Sequence, residues 1–256
     1  MRLIDLSRPL ENSPHADPPG LAPRIDYARH DETAEALLAF FPGVTRAALP
    51  GGEGWAVETA HVSTHNGTHL DAPYHYHSTM DGGARAITID EVPLEWCIGP
   101  GVKLDFRHLP DGHVVTAAEM EAEFGRIGHD PAPGDIVLVN TAAAAAWGTP
   151  AYVPSGCGMG REATLWLTGR GIRICGTDAW SWDAPFVHTA RRVAETGDTD
   201  LIWEGHRAGM QRGYCQIEKL ANLETLPDTG FEVMCFPVKI TGASAGWCRA
   251  VARLAD

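Results

Sequence analysis

The amino-acid sequence predicts an α/β domain with a substantial central sheet of mixed strand order. Short apolar segments bounded by turn residues recur along the chain, and fewer helical patterns are interspersed among them. In addition, 28 glycines and 18 prolines mark many turns. Interspersed strands and helices are typical of α/β or α+β architectures. Because no repeat, linker or charge block divides the chain, we expect a single domain over residues 1–256.

The strand predictions rest on these apolar segments. The clearest is DIVLVN at residues 135–140, a continuous apolar run after a Pro-Gly turn, which is typical of a strand buried on both faces. Residues 172–177 and 231–240 have similar patterns, and residues 55–64 alternate more loosely. The Ala142–Ala146 run follows the first of these strands and is predicted to be a tight loop or the start of a helix.

Three helices are predicted from their end signals. Thr116 followed by Glu119 forms a capping box that opens a helix reaching about residue 124, because the threonine side chain can bond first-turn N–H groups. An amphipathic segment at residues 161–170 closes at Gly171, and a further segment at residues 186–195 ends at Gly197. Glycine readily adopts the left-handed conformation that closes a helix.

The composition limits the class of partner. The chain of 256 residues carries 20 Lys and Arg against 33 Asp and Glu, a formal net charge of −13. This acidity argues against nucleic acid or anionic membranes as partners, because their phosphates would be repelled. Charged residues interrupt the apolar residues of the N-terminal stretch, so we expect neither a signal peptide nor a membrane span there. Six cysteines without a CxxC pair are typical of reduced thiols in a cytoplasmic protein.

Histidines are concentrated in one segment. Residues 61–77 read HVSTHNGTHLDAPYHYH and hold five of the 12 histidines in the chain. Within this segment, His65, His69, Asp71 and His75 follow the spacing H-x3-H-x-D-x3-H. A single histidine on a strand is more often a hydrogen-bonded core or surface residue. Several imidazoles around one carboxylate would be costly to desolvate with nothing between them, so this cluster indicates a bound metal.

The spacing also predicts how these side chains converge. His69 and Asp71 are two residues apart, so both project from the same face of an extended chain. Asn66 and Gly67 permit a tight turn that could fold the His65 imidazole back toward the same point. Two imidazoles and a carboxylate suit a divalent metal such as zinc, manganese or iron, with open positions for water and substrate.

The same segment carries a family resemblance. HNGTHLDAPYH at residues 65–75 resembles the H-x-G-T-H-x-D-x-P-x-H signature of the cyclase family of metal-dependent hydrolases, which includes bacterial kynurenine formamidases and isatin hydrolases. Further segments are similar to family elements in the family's order: DLSRPL at 5–10, GTDAWSWD at 176–183, IEKLANL at 217–223 and the closing residues 237–249. The resemblance implies a swivelling β/β/α-type domain with a mixed central sheet and flanking helices.

The resemblance implies roles for the residues of the histidine segment. His65, His69 and Asp71 match the metal ligands of the family. His75 matches the histidine that acts in acid/base catalysis, and in some members this histidine also contacts a second metal ion. The implied cofactor is therefore a divalent metal, Mn²⁺ or Zn²⁺, as one ion or two.

Residues far along the chain complete the implied site. His206 and Glu218, twelve residues apart, resemble the distal histidine and glutamate of the family, which take part in catalysis and metal binding. If residues 214–219 form a strand, Gln216 and Glu218 lie on one face and both could reach the metal. The pattern leaves open which of these two is the distal ligand.

Aromatic residues are candidates for the wall of an aryl-substrate pocket, although for any single one a place in the core is the more common role. The candidates are Phe40, Phe41, Trp55, Tyr76, Trp180 and Trp182. In the family, the segment around residues 40–42 tends to close over a partner subunit. The resemblance therefore implies a homodimer or higher homo-oligomer with a shared pocket.

These features predict a metal-dependent amidohydrolase that acts on C–N bonds other than peptide bonds. The expected substrate is a small molecule, an isatin-like cyclic amide or an aryl formamide. The metal would activate a water molecule, with acid/base help from His75. His206 or Glu218 would orient the water or stabilise the oxyanion.

Two other functions fit parts of the pattern. His69, Asp71 and His206 satisfy the two-histidine, one-carboxylate triad of a non-haem iron oxygenase. That interpretation leaves His65 and His75 without roles. The other alternative is a catalytically silent family member that binds metal and hydrolyses nothing.

Overall fold

The computed structural model of the chain describes residues 1–13, 15, 17, 18 and 20–254. Of the predicted domain, residues 14, 16, 19, 255 and 256 therefore lie outside the described residues. The strands are β1 (Arg2–Asp5), β2 (Arg24–Ala28), β3 (Val57–His61), β4 (His69–Asp71), β5 (Thr79–Met80), β6 (Ala84–Arg85), β7 (Ile98–Asp105), β8 (Val114–Val115), β9 (Ile136–Asn140), β10 (Gly158–Met159), β11 (Ile174–Thr177), β12 (Cys215–Glu218), β13 (Phe231–Met234), β14 (Ala245–Trp247) and β15 (Val251–Leu254).

Helices are interspersed among these strands. The α-helices are α1 (Ala34–Leu38), α2 (Pro73–Tyr76), α3 (Ala117–Ile127), α4 (Arg161–Gly169), α5 (Phe186–Thr196) and α6 (Glu204–Arg207). Short 3₁₀ turns lie at Arg46–Ala48, Pro50–Gly52, Ile89–Glu91, Leu94–Trp96, Ala142–Ala146, Thr199–Leu201, Ala208–Met210 and Leu223–Thr225. Among the described helices, none combines the length and apolar character that a bilayer span requires.

A nine-stranded mixed sheet organises the fold, in the order β1-β15-β13-β7-β9-β11-β12-β4-β14. The central strands β7, β9, β11 and β12 run parallel. Antiparallel strands flank them on both sides, with β13 on β7 and β4 on β12. This arrangement confirms the predicted α/β class with a mixed central sheet. Both ends of the chain enter the sheet, because β1 pairs with β15.

Strand β9 shows how the sheet separates two apolar layers. Ile136 and Leu138 pack into a cluster on one face, while Val137 and Val139 pack into a second cluster with residues of α3 and α4 on the other. All four side chains are buried, as expected for a strand covered on both faces. The continuous apolar run at 135–140 is thus explained by burial on both faces.

The helix predictions agree closely with the structure. Thr116 caps α3 by accepting a hydrogen bond from the backbone N–H of Glu119, and the glutamate side chain completes the capping box. Helix α4 ends just before Gly171, whose φ is +87°. Helix α5 ends at Gly197, which has the left-handed conformation. The Ala142–Ala146 run forms a 3₁₀ turn.

Two predicted strands are shorter than expected. Within segment 231–240 the strand stops at Met234. Pro237 has no backbone N–H to continue the strand pairing, and it makes only an isolated bridge to Cys248. Only the middle of segment 55–64 is a strand, and it forms an exposed two-stranded sheet with β2 outside the main sheet.

A buried carboxyl group makes the stability of this fold sensitive to pH. Asp178 follows β11 and is completely buried, and its carboxyl group accepts hydrogen bonds from the backbone N–H (2.9 Å) and hydroxyl (2.7 Å) of Thr141. Burial raises the pKa of Asp178 to about 7, from an ordinary value of 3.8. The folded chain therefore keeps a proton that the unfolded chain has already released at mildly acidic pH.

We expect the Asp178 contribution to stability to be full below about pH 4 and to be lost as pH rises to about 7. The loss is at most about 1.4 kcal/mol per pH unit. Denaturant unfolding of the wild type and of Asp178→Asn across this range measures it. The variant cannot ionise, so the difference between the two unfolding free energies should change with pH. Parallel curves would contradict the assignment.

Candidate metal centre and adjoining cavity

Strand β4 places two of the predicted ligands on one face. His69 and Asp71 are both fully buried, and His69 Nε2 lies 3.2 Å from Asp71 Oδ1. Gly67, with φ +62°, turns the preceding loop so that His65 Nδ1 comes within 2.9 Å of the same Asp71 oxygen. Ser244 Oγ contacts the other ring nitrogen of His65 at 3.1 Å. The three residues thus converge as the spacing predicts.

The protonation pattern of these groups fits a cation between them. His69 Nδ1 must carry the proton, because it donates to the carbonyl oxygen of Gly67 at 2.9 Å. In the neutral ring, Nε2 therefore presents a lone pair toward Asp71 Oδ1, which is also an acceptor. Both atoms are buried, and neither has a hydrogen bond of regular geometry among the described residues, although His65 Nδ1 approaches Asp71 Oδ1 at 2.9 Å. Two facing acceptors are stabilised by a shared metal ion, so the residues fit this group.

His75 joins the cluster from a different element. It lies in α2, and its Nε2 is 3.9 Å from Asp71 Oδ2. Its ring centroid is 4.1 Å from that of His65 and 5.6 Å from that of His206. His65, Asp71 and His75 form one candidate ligand group, with the ligating atoms within 4.8 Å of one another. His65, His69, Asp71 and His75 of the histidine segment therefore converge at one place.

Strand β12 brings the distal residues to the same point. It pairs with β4 so that Gln216 lies opposite Asp71 and Glu218 lies opposite His69. His69, Asp71 and Glu218 form a second candidate ligand group. Gln216 turns its amide nitrogen toward Asp71 Oδ2 (3.4 Å) and Glu218 Oε1 (3.3 Å), while its oxygen accepts from Tyr214. In this arrangement Glu218 offers a carboxylate to the centre and Gln216 offers a donor.

A buried carboxylate fixes the orientation of His206. Asp183 contacts His206 Nδ1 in a short hydrogen bond and also accepts the backbone N–H groups of Gly205 (2.7 Å) and His206 (3.0 Å). The opposite ring nitrogen, Nε2, lies 2.5 Å from the amide nitrogen of Gln216 and 3.7 Å from Glu218. Trp203, whose backbone is left-handed at φ +58°, stacks on the ring with a centroid distance of 4.3 Å.

The electrostatics of the centre set the charge of each group. Burial, followed by the neighbouring imidazoles, lowers the pKa of His75 to about 3, so its ring is neutral near pH 7. Burial alone would raise the pKa of Asp71, but the imidazoles of His69, His75 and His65 together outweigh it, and the pKa lies well below its usual value. Burial and the charge of Asp71 together raise the pKa of Glu218.

A cavity of about 230 Å³ opens beside these residues. His65, His75, His206 and Glu218 reach it, with Trp180 as the one predicted pocket aromatic in its wall. The sequence interpretation missed the other wall residues, and no local pattern marks them. They are Asp17, Leu21, Ser63, Asn66, Ser181, Phe186, Trp203 and Lys219.

The remaining aromatic candidates lie elsewhere. Tyr76 is buried behind the histidines, where its hydroxyl donates to the backbone oxygen of Asp71 at 3.4 Å. Trp182 is 1% exposed and belongs to the core. Phe40, Phe41 and Trp55 are exposed at 70%, 53% and 39% and do not line the cavity within this chain.

The chain is similar to known proteins over most of its length. The model of the Cyclase family matches residues 4–184, more than half of the chain. The chain belongs to the Cyclase family. The match includes the histidine segment but ends before β12, so the distal residues of this family member are placed by its structure.

Relatives of this Cyclase-family chain carry names that describe amide hydrolysis. A kynurenine formamidase of Salinibacter ruber is 30% identical over 197 residues, covering 75% of this chain and 77% of the relative. A kynurenine formamidase of Erythrobacter litoralis is 27% identical over 198 residues, covering 75% of this chain and 74% of the relative.

Solved structures share the fold. Isatin hydrolase A from Ralstonia solanacearum superimposes with a TM-score of 0.76 at 22% identity, covering 99% of this chain and 92% of that one. An isatin hydrolase bound to the product analogue thioisatinate gives a TM-score of 0.74 at 21% identity, with the same coverage. The predicted family and fold are confirmed.

A buried ion pair supports the loop that carries His65. Lys219, 1% exposed, contacts Asp17 in a short ion pair and donates from Nζ to the backbone oxygen of His65 at 2.7 Å. Asp17 also accepts from Asn66 Nδ2 (2.8 Å) and Trp180 Nε1 (3.1 Å). Both charged groups are therefore satisfied only while they are together.

Lys219→Met should lower the free energy of unfolding by about 3–5 kcal/mol, because it leaves the Asp17 carboxylate buried and unpaired. Urea unfolding measures this loss. Lys239→Met, at an exposed lysine, is the matched control and should change stability by less than about 0.5 kcal/mol. Adding Asp17→Asn to the Lys219 variant should recover part of the loss. Equal effects at both lysines would show that the pair is not stabilising.

Proposed function

We propose that this chain is a metal-dependent hydrolase that cleaves the C–N bond of a small, non-peptide amide. The observation that carries this proposal is the pair of buried acceptors, His69 Nε2 and Asp71 Oδ1, facing each other beside the cavity. The names of the kynurenine formamidase relatives support an amide substrate. We infer an isatin-like cyclic amide or an aryl formamide, in a single domain.

His65, His69, Asp71 and Glu218 would hold the metal. Imidazole and carboxylate ligands suit Mn²⁺ or Zn²⁺, as one ion or as two that share Asp71. When bound, the divalent ion supplies Lewis-acid polarisation of the substrate carbonyl and a coordinated water of lowered pKa. Gln216 would act as a hydrogen-bond donor to the carboxylates of this centre.

His75 is placed to move the protons of the reaction. Its side chain is 23% exposed and lines the cavity. Its ring nitrogen Nε2 lies near the Asp71 carboxylate. Because the lowered pKa keeps this ring neutral, it can accept the proton of the attacking water. The same nitrogen would then deliver a proton to the leaving nitrogen of the amide. His206, held by Asp183, would orient the water or stabilise the oxyanion.

Aromatic residues in the cavity wall fit a planar aryl substrate. Trp180 and Phe186 meet edge to face with a centroid distance of 5.4 Å, and Trp203 lies against His75. We propose that an aryl ring stacks in this wall, with its amide carbonyl directed at the centre. This orientation would bring the scissile carbon toward His75.

Assembly and compartment complete the proposal. Phe40, Phe41 and Trp55 form an exposed aromatic patch, which we propose a second copy of the chain covers in a homodimer. Sedimentation velocity tests this assembly directly.

All six cysteines are free and buried, which fits the reducing cytoplasm.

The function is tested by metal analysis of the purified protein, followed by hydrolysis assays on isatin and N-formylkynurenine. We expect a bound divalent metal, loss of activity on chelation, and recovery with Mn²⁺ or Zn²⁺. A loaded protein that hydrolyses neither compound would favour the silent-binder alternative. Uptake of oxygen with iron would favour the oxygenase instead, and a protein that takes up no metal would refute the proposal.

His75→Ala should lower kcat by about 10²–10⁴-fold, because the variant removes the group that transfers the proton. Metal content should fall far less than the rate, since His65, His69, Asp71 and Glu218 are untouched. His77→Ala, at an exposed histidine of the same segment, is the matched control and should retain activity. An active His75 variant would show that another group moves the proton.

A further inference from the structure

A second cavity lies apart from the proposed metal centre. It has a volume of about 460 Å³ and shares no lining residue with the cavity described above. It opens where the parallel strands β7 and β9 reach their carboxyl ends, which is where open α/β sheets commonly bind ligands. Its volume falls in the range of small-molecule sites, about 300–1,000 Å³.

Asn140 carries the first argument that this cavity binds a ligand. The residue ends β9 and is completely buried, yet Oδ1 and Nδ2 have no hydrogen-bond partner among the described residues. Alternation along β9 places Asn140 on the same face as Ile136 and Leu138, which is otherwise a core face. An apolar residue would satisfy that position more cheaply, so the free carboxamide favours a partner from outside the chain, either water or a ligand.

Arg8 carries the second argument and indicates the charge of the ligand. Its guanidinium lies 4.7 Å from the centre of the Trp147 ring, and its buried Nε has no partner among the described residues. Arg107, at the same cavity, is by contrast neutralised by Asp105, with Nε at 2.9 Å from Oδ1. A guanidinium with unused donors is a preferred partner for a carboxylate.

The third argument is the alanine run at residues 142–146, which has no role in the proposed hydrolase function. Ala142, Ala144 and Ala145 line the cavity, and their small side chains keep it open while offering methyl surface. The carboxylate of Glu224 lies at the exposed mouth, and Asp178 is held behind Thr141 by its hydrogen bonds. Among the described residues, the cavity thus combines a guanidinium whose Nε has no hydrogen-bond partner, a carboxamide that has none and an apolar wall.

We propose that this second cavity binds a small carboxylate with a short apolar body. The carboxylate lies between the Arg8 guanidinium and Asn140 Nδ2, and the body packs on the alanine wall. A hydroxyl next to the carboxylate would donate to Asn140 Oδ1. The site is independent of the proposed hydrolase chemistry, and its test measures binding alone.

The test titrates butyrate and 2-hydroxybutyrate into metal-loaded enzyme labelled with ¹³C at its alanine methyl groups. Signals of Ala142, Ala144 and Ala145, assigned with single Ala→Ser variants, report this cavity and not the metal centre. We expect these signals to shift saturably, with 2-hydroxybutyrate the tighter ligand. Neutral butyramide, of the same size, should bind at least about tenfold more weakly.

Variants separate the site from nonspecific binding. Arg8→Gln and Asn140→Leu should each weaken butyrate binding at least about tenfold, whereas Arg24→Gln, at an exposed arginine of β2, should leave it unchanged. Asn140→Leu should also raise the unfolding temperature, since it removes an unpartnered buried amide. Absence of saturable methyl shifts, equal binding by all variants, or a destabilised Asn140→Leu protein would each overturn the proposal.

Discussion

The antiparallel pairing of β4 with β12 is the contact on which the site depends. It joins residues separated by about 145 positions and sets Gln216 against Asp71 and Glu218 against His69. Because side chains alternate along a strand, a slip of one residue would turn these groups to the opposite face. The pairing also buries them, since β4 lies between β12 and β14.

The buried side chains of β4 leave acceptor atoms that a bound cation would stabilise. His69 and Asp71 are fully enclosed, and the hydrogen bond from His69 to Gly67 fixes which ring nitrogen carries the proton. In the neutral ring the free lone pair then faces a carboxylate oxygen, and neither atom has a hydrogen bond of regular geometry within the described part of the chain. Asp183 gives His206 a similarly fixed orientation, as carboxylates do for many metal-binding histidines.

Surrounding elements hold the centre and shape its cavity. Lys219 and Asp17 connect the strand end after β12 with the His65 loop and with Trp180. The left-handed backbone of Trp203 lets its ring lie flat on His206. The cavity wall is therefore built largely by residues outside the histidine segment, contributed by loops and by the start of α5.

Local signals in the sequence determined the elements and the core of the site. The capping box at Thr116, the continuous apolar run of β9 and the H-x3-H-x-D spacing each act over a few residues, so their consequences could be predicted. The spacing of His69 and Asp71 fixed their common face directly, because a strand has a two-residue period. The family resemblance added the distal histidine and glutamate.

Only the tertiary structure decided which distant groups meet. The Gln216 amide nitrogen meets Asp71, which lies 145 residues away, and the partner of Lys219 lies 202 residues away. Phe41 and Trp55 match the composition of a pocket wall, but both are exposed in the segment between β2 and β3. Strand register and loop packing are long-range properties, so residue type and local spacing do not specify them.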